Sequence, residues 1–320
     1  MKSISELTDF YYKTLYPDLK VLEDRRKKLK KKITITALVL TLLLCIILGF
    51  LLLYNSPLEW FVFVGFAYIT IGGFLYRFMT KEYTFDFKQK IIEPLIGAID
   101  KQLSYSSQAY LPRHMFEHSE LFTSRIDRYK GNDYIQGHID GIPIEFSDLH
   151  VEKREKGNKR QDYYTTIFKG LFIVSEFNKN FQGKTVVLPD SAQNTFGDLI
   201  GNWIQANNVF RDSLVKMDNP EFEKEFVVYA TDQIEARYIL SHSLMQRILD
   251  FKNRSKHPIY VSFIANRIYL AIYYNKDLFE PSVFHSLLEY KIAMEYIQTL
   301  HLVIGIVEEL QLNKKLWSKQ

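Results

Sequence analysis

A chain of 320 residues with 47% apolar and 15% aromatic side chains can fill a folded core, so its composition excludes a disordered protein. The single cysteine, Cys45, lies inside an apolar run, which excludes an intramolecular disulfide and a zinc site made of several thiolates. The net charge is +4, but residues 1–32 hold ten basic and five acidic side chains, so the rest of the chain is close to neutral. A nucleic-acid-binding domain normally carries a basic surface, and nucleic acid is therefore excluded as an expected partner.

Two apolar runs follow each other near the N-terminus. Residues 33–54 contain no charge, and as a helix they measure about 33 Å, which matches the hydrocarbon thickness of a bilayer. Residues 58–79 form the second run, with Trp60 and Tyr76 near its ends, as in helices anchored at two interfaces. Only three residues separate the runs, so residues 33–79 are predicted to form an antiparallel transmembrane hairpin. A secretory signal peptide is the alternative for the first run, but the apolar core of a signal peptide begins nearer the N-terminus than residue 33 and is shorter than 22 residues.

Basic residues flank the first run on one side only. Residues 20–32 hold eight lysine and arginine side chains, whereas the turn between the runs holds none. This asymmetry predicts a protein with two spans and with both termini in the cytoplasm. The same cluster can attract anionic lipid headgroups or act only as a topology signal, and both interpretations stay open.

Each run continues into a predicted cytoplasmic arm. Residues 1–32 have the apolar spacing of an amphipathic helix that Pro17 interrupts, and residues 80–103 form a helical connector with a kink or a new start at Pro94. The two arms leave the bilayer side by side, and each has an apolar stripe that needs burial. They are therefore predicted to pack together rather than to lie on lipid.

Short strand-like runs begin after residue 103. Asp140 and Gly141 carry the signal of a hairpin turn, and further strands are predicted at residues 165–177, 184–188 and 226–230. The charged residues 153–162 are predicted to form an exposed loop between two strands.

The C-terminal third combines helices with one more strand pair. A helix is predicted to begin at Asp232, two strands to turn near Asn266, and a closing helix to run from about residue 281 to about residue 312. Residues 104–320 are therefore predicted to be a cytoplasmic α+β domain, in which a mixed, mainly antiparallel sheet is joined by long C-terminal helices.

The triplet Gly183, Lys184, Thr185 resembles the end of a phosphate-binding loop. Asn178 stands where such a loop has its first glycine, and a β-branched stretch ended by Pro189 follows where the loop needs a helix. The triplet is therefore predicted to lie in the turn of a hairpin, with no nucleotide site.

The pentapeptide at residues 114–118, HMFEH, matches the pattern of inverted zinc proteases. In a helix His114 and His118 would share a face, with Glu117 as the base. Pro112 and the polar sequence after the pentapeptide favour a short or irregular element instead. No metal and no cofactor are predicted.

Three long stretches, residues 168–190, 221–240 and 261–272, resemble a bacterial membrane-protein family catalogued only as a domain of unknown function. Members of this family begin with two spanning helices. The resemblance implies a setting like that of proteins found beside LemA-type membrane proteins, and it supplies no catalytic residue.

Two hypotheses of function remain. The favoured one is a membrane-anchored cytoplasmic binding or scaffold module that acts at the lipid bilayer, with homo-oligomerisation left open. The alternative is a membrane-tethered enzyme whose polar residues converge only in three dimensions. A polar binding cluster for that alternative would consist of Asn178, Lys179, Asp190, Asp232, Glu235 and Arg237. Turn bonding, helix capping and an ion pair are the competing structural roles of these side chains.

Overall fold

The computed structural model describes residues 2–157, 162–176, 182–190, 214–274, 277–306 and 310. Its contacts divide the chain into two compact units. The hairpin unit comprises residues 3–95 and 279–297, and the sheet unit comprises the remaining residues. The predicted boundaries at residues 32, 79 and 103 stay predictions. The assignment of residues 279–297 to the N-terminal helices was not foreseen.

The hairpin unit is built mainly from long helices. Ser3 starts the first helix with a capping box, in which its hydroxyl accepts from the amide of Glu6 and the Glu6 carboxylate accepts from the Ser3 amide. The helical elements are α1 (Ile4–Asp9), a π-helical turn (Phe10–Thr14), α2 (Tyr16–Leu53), α3 (Leu58–Phe87), a second π-helical turn (Lys88–Ile92) and α4 (Glu93–Ile99).

The predicted helix breaks coincide with proline. Pro17 lies in the first turn of α2, where its missing N–H has no partner to lose, and Pro94 lies in the first turn of α4 after the second π-helical turn. Between α2 and α3, Asn55 adopts a left-handed conformation with φ of 45°, which closes the short turn. The two apolar runs therefore form adjacent antiparallel helices.

The two arms pack together within the hairpin unit, as predicted. Arg25 of α2 forms an ion pair with Asp86 of α3. Their apolar stripes are fully or almost fully buried, at Leu7, Tyr11, Leu15, Leu19, Leu22, Tyr83, Phe87, Ile91, Ile92 and Leu95.

The sheet unit contains nine strands among the described residues, and all of their pairings are antiparallel. Their spatial order is β1-β2-β3-β4-β9-β8-β5-β7-β6. This arrangement confirms the predicted α+β class and the antiparallel sheet. The strands are β1 (Ser104–Ser106), β2 (Arg128–Ile139), β3 (Ile142–Lys156), β4 (Asp162–Glu176), β5 (Lys184–Pro189), β6 (Leu214–Val215), β7 (Phe226–Ala230), β8 (Ile259–Ile264) and β9 (Arg267–Tyr273).

Short helices punctuate the strands. Three of them, which begin at residues 220, 233 and 242, are each preceded by a polar residue whose side chain accepts a hydrogen bond from a backbone N–H. These capping residues are Asn219, Asp232 and Ser241. The prediction of a helix starting at Asp232 is confirmed. The helices are α5 (Arg113–His118), α6 (Pro220–Glu225), α7 (Gln233–Ile239), α8 (His242–Ser255) and α9 (Tyr290–Ile304).

Local turn chemistry explains the two predicted hairpins. Asp140 and Gly141 between β2 and β3 both have positive φ, 50° and 79°, as the tight hairpin turn requires. Ala265, between β8 and β9, has φ of 55°. Both hairpin predictions are confirmed.

Three predicted boundaries were wrong. Residues 153–156 continue β3 and Asp162 starts β4, so the charged stretch is paired strand at both ends, and residues 158–161 lie outside the described part. The closing helix starts at Tyr290 because residues 282–289 form turns, in which the Ser282 hydroxyl accepts from two amides. Gly183 is not in a hairpin turn, since β5 pairs with β7 and β8 instead of β4.

Phe116 of α5 packs against one face of the sheet. It is fully buried, and its ring centroid lies 5.0 Å from that of Phe172 and 5.2 Å from that of Phe122. Aromatic pairs at this separation are favourable. The short helix at residues 113–118 therefore serves as a hydrophobic cover for β4.

Candidate functional site

The polar residues predicted to form a binding cluster do not converge in the described structure. Asp190 follows β5 at the end opposite Lys184, about 20 Å along the strand, and its amide donates to the Glu225 carbonyl at 2.9 Å. Arg237 donates from Nη2 to the Lys216 carbonyl at 3.5 Å. Asn178 and Lys179 lie outside the described residues.

Asp232 and Glu235 do lie close together, and both bind backbone amides. Asp232 accepts from the amides of Ile234 and Glu235 at 2.7 and 3.1 Å, which caps α7. Glu235 accepts from the amides of Gln182 and Gly183 at 2.9 and 2.8 Å. Both side chains therefore hold backbone in place.

The same contacts explain why Gly183 and Lys184 do not form a phosphate site. A phosphate-binding loop offers free amides to an anion, but here the Glu235 carboxylate already accepts from the Gly183 amide. Thr231 accepts from the Lys184 amide at 2.8 Å, and the Lys184 ammonium pairs with Glu120. A strand, not a helix, follows the triplet, and the neighbouring N-terminus of α7 is already capped by Asp232. The prediction that a strand follows the triplet is confirmed.

The His114 and His118 side chains are exposed on the six-residue helix α5, and Glu117 pairs with Arg113 at 2.7 Å. Among the described residues, no group of three or more histidine, cysteine or acidic side chains could hold a metal ion. The pentapeptide thus provides the buried Phe116 and no metal-binding geometry.

We expect Asp232→Ala to destabilise the sheet unit by about 0.5–2 kcal/mol, because two amides lose their cap, and Asp232→Ser to restore most of this loss. Glu235→Ala should cost about 1 kcal/mol through the amides of Gln182 and Gly183, with Glu235→Gln intermediate. Thermal unfolding of the purified full chain measures both effects. Unchanged melting temperatures for both alanine variants would contradict the structural roles given to these carboxylates.

The most apolar part of the described structure is not covered by other described residues. Both α2 and α3 are long and apolar enough to cross a membrane, and the most apolar window of each helix contains no buried residue. The exposed fraction is 66% for Leu38, 63% for Leu42 and 69% for Phe66. A surface of this kind is unstable in water and suits a lipid environment.

A second site lies just before the first apolar run, where an ion pair is almost fully buried. Glu23 and Arg26 are one turn apart on α2, with exposed fractions of 3% and 7%. The guanidinium binds the carboxylate through two N–H groups, Nε to Oε2 at 2.8 Å and Nη2 to Oε1 at 2.7 Å. Such a bidentate pair is strong and directional.

This ion pair also binds the chain more than 250 residues later. Arg26 Nη1 donates to the Val283 carbonyl at 2.7 Å, and the Leu287 amide donates to Glu23 Oε2 at 3.2 Å. Tyr11 donates from its hydroxyl to the Leu287 carbonyl at 3.1 Å. We call Glu23, Arg26 and Tyr11, with Val283 and Leu287, the clamp.

The electrostatics of the clamp follow from burial and pairing. Burial alone would raise the pKa of the Glu23 carboxyl, yet hydrogen bonds from Arg26 and from the Leu287 amide hold that pKa below its usual value. Burial raises the pKa of the Tyr11 hydroxyl, which stays a neutral donor. The centre of the clamp is therefore an ion pair, and its remaining hydrogen bonds are made with neutral backbone groups of Val283 and Leu287.

Two further contacts join residues 279–297 to the end of α3 and to the π-helical turn after it. Lys88, whose side chain is 5% exposed, pairs with Glu280 at 2.7 Å. The rings of Phe87 and Tyr296 lie 5.2 Å apart, and the Tyr296 hydroxyl donates to the Glu280 carbonyl at 2.9 Å. Residues 279–297 are thus held by both arms of the hairpin.

Sequence reasoning missed the clamp because Glu23 and Arg26 belong to a run of charged residues. One signal was available: Glu23 and Arg26 share the helical stripe of Leu19 and Leu22. The partners at residues 283–287 have no pattern that would have pointed to this contact.

Part of the chain is similar to a known protein family. Residues 166–312 match the family described as "Protein of unknown function (DUF3137)". The match confirms the predicted resemblance to an uncharacterised family over this stretch, which starts within β4 and contains α9. Helices α2 and α3 lie outside it.

A comparison with curated proteins finds no significant match. A search of solved structures finds the crystal structure of the mycobacterial trehalose monomycolate transport factor A, TtfA, with 10% sequence identity and a TM-score of 0.31. The alignment covers 65% of this chain and 88% of that one.

Proposed function

We propose that this protein is an integral protein of the bacterial inner membrane, in which α2 and α3 span the bilayer and a cytoplasmic sheet unit acts as a binding or scaffold module. The observation that carries the proposal is the uncovered apolar surface of two adjacent antiparallel helices, each long enough to span. On a monomer in water this exposed apolar surface would be unfavourable, whereas the hydrocarbon of a bilayer would bury it.

The side chains next to the apolar runs support the orientation. Lysines and arginines cluster before the first run, and the turn at residues 55–57 carries no charge. The clamp and the packed arms then lie on the cytoplasmic side. Within this proposal, the clamp transmits the position of the helical hairpin to residues 279–297.

A scaffold role is preferred to an enzyme because the two candidate carboxylates that lie close together are used in the fold. Asp232 and Glu235 bind amides, and Lys184 is paired with Glu120. A general acid or base needs a side chain that can reach a substrate, and none of these three is presented in that way. The proposed partner is another membrane protein, and the LemA-type partner implied by the family resemblance stays a prediction.

Topology tests the proposal. Reporter fusions at the N-terminus and after Gln320 should both report a cytoplasmic location, and a reporter inserted at Ser56 in the turn should report the external side. The chain should also stay in the membrane fraction after alkaline carbonate extraction. An external signal at either terminus, or release by carbonate, would refute the proposed anchor.

A further inference from the structure

We propose that the cytoplasmic end of the hairpin carries a binding site for anionic phospholipid headgroups, formed by both helices. The inference rests on the proposed membrane anchor and identifies the class of lipid that surrounds it. The basic collar, as we call this site, consists of Lys27, Lys28, Lys30, Lys31 and Lys32 on α2 and Lys81 on α3.

The collar lies at the level of the headgroups. Lys27 is six residues before the first apolar run, about 9 Å along the helix axis, and Lys32 directly precedes that run. Lys81 follows the second run by two residues, about 3 Å. Polar headgroups occupy this zone outside the hydrocarbon.

Two contacts between the helices set their alignment. Arg25 pairs with Asp86 on the cytoplasmic side, and the Thr41 hydroxyl lies 3.0 Å from the Tyr68 hydroxyl within the apolar runs. Because the helices are antiparallel, these contacts bring Lys81 to the level of Lys30. The six ammonium groups therefore belong to one layer.

Most of the collar faces away from the protein core. The buried side of α2 is formed by Leu19, Leu22, Glu23 and Arg26. By the 100° rotation per residue, Lys28, Lys31 and Lys32 project from the opposite half of the helix, and Lys27 lies at its edge. All six collar side chains belong to exposed residues. The clamp thus fixes the rotation of α2 that turns these lysines outward.

The collar has more positive charge than the neighbouring described carboxylates can balance. No collar lysine forms an ion pair among the described residues, whereas Arg25 beside them is paired with Asp86. Exposed Asp24 and Glu82 lie at this level, so six cations face two carboxylates, an excess of four.

Helical spacing makes this excess unfavourable without added anions. Lys27 and Lys31, and Lys28 and Lys32, are four residues apart, and like charges at that spacing repel. Anionic headgroups would supply the missing charges at the required depth. A topology signal needs only the number of basic residues in the flank, not their outward presentation on a packed helix.

The test uses the full chain reconstituted in vesicles of phosphatidylcholine and phosphatidylglycerol at about three to one, followed by detergent extraction and quantification of co-purified lipid. A lysine near the membrane surface contributes about 1 kcal/mol to the attraction of an anionic lipid, which is about a fivefold factor in binding. The ratio of phosphatidylglycerol to phosphatidylcholine that co-purifies should therefore be about five times the ratio in the vesicle. The enrichment should fall in 1 M salt, where the screening length is about 3 Å.

Replacing the five α2 collar lysines with glutamine should return the lipid ratio to that of the vesicle, and replacing them with arginine should preserve the enrichment. A control with the same change in net charge replaces five exposed lysines of the sheet unit with glutamine and should keep the enrichment: Lys130, Lys156, Lys216, Lys224 and Lys256.

The outcomes separate the two proposals. If the wild type inserts but shows the vesicle lipid ratio, or if the glutamine variant remains enriched, the collar proposal is wrong and the anchor stands. If the wild type does not insert into vesicles of either pure phosphatidylcholine or the mixture, both proposals are wrong. Insertion of the glutamine variant, measured by flotation, shows that its lost enrichment is not caused by a lost anchor.

Discussion

Arg26→Met is expected to destabilise the docking of residues 279–297 by about 3–5 kcal/mol, because it leaves the Glu23 carboxylate buried without its cation. It also removes the donor to the Val283 carbonyl. Hydrogen exchange in detergent micelles measures the effect: the peptide that contains Leu287 should lose its protection while peptides from β8 and β9 keep theirs.

Two controls show whether pairing is the cause. The double variant Glu23→Gln with Arg26→Met removes both charges and should recover part of the lost protection. Arg25→Met removes the neighbouring pair with Asp86, in which the arginine side chain is 50% exposed, and should change stability by about 0–1 kcal/mol. Equal effects of Arg25→Met and Arg26→Met would contradict the assignment of the clamp to the buried pair.

Gly170→Ala is expected to destabilise the sheet unit by about 3 kcal/mol or more. Gly170 lies in β4 between Leu149 of β3 and Tyr273 of β9, with φ of 149°. A Cβ atom there would lie 2.1 Å from the Ile272 carbonyl oxygen and 2.6 Å from the Tyr274 nitrogen. These atoms belong to the backbone of β9 and the residue after it, which cannot move away without breaking ladder hydrogen bonds to β4. The melting temperature should fall by about 6–12 °C.

Gly97→Ala is the matched control for this substitution. Gly97 is an exposed residue of α4 with no atom within 4 Å of an added Cβ, so alanine should be neutral or stabilise by up to about 1 kcal/mol. A Gly170→Ala protein that melts with the wild type would mean that β4 and β9 are not paired at this register.

The parts of the fold that were predictable from sequence are those that depend on neighbouring residues. Asp140 and Gly141 specify their own turn, Asp232 caps its own helix, and the apolar runs are defined by composition alone. The boundary of α9 was not predictable, because Pro281 is equally suited to a helix start and to the turns that precede Tyr290.

The sites of tertiary contact were beyond sequence reasoning. Glu235 was predicted to assist the start of its own helix, but its carboxylate reaches the amides of Gln182 and Gly183, about fifty residues earlier. Arg26 was counted as part of a basic surface and is buried. In both cases the local sequence allows the charged side chain several hydrogen-bonding partners. The partner is decided by tertiary packing, which the local sequence does not show.

Labelling of Cys45 tests the central claim, that residues 33–54 cross a bilayer. Cys45 is the only cysteine of the chain, it lies about midway along the first run, and its side chain is exposed on the helix surface. The described protein therefore does not shield this thiol from a labelling reagent, whereas a surrounding bilayer would. In sealed membrane vesicles a charged maleimide should leave Cys45 unlabelled until detergent is added, because a charged reagent does not enter the hydrocarbon. A cysteine placed at Asn55 in the turn should react in intact cells from the external side. Rapid labelling of Cys45 in intact vesicles would contradict the transmembrane assignment.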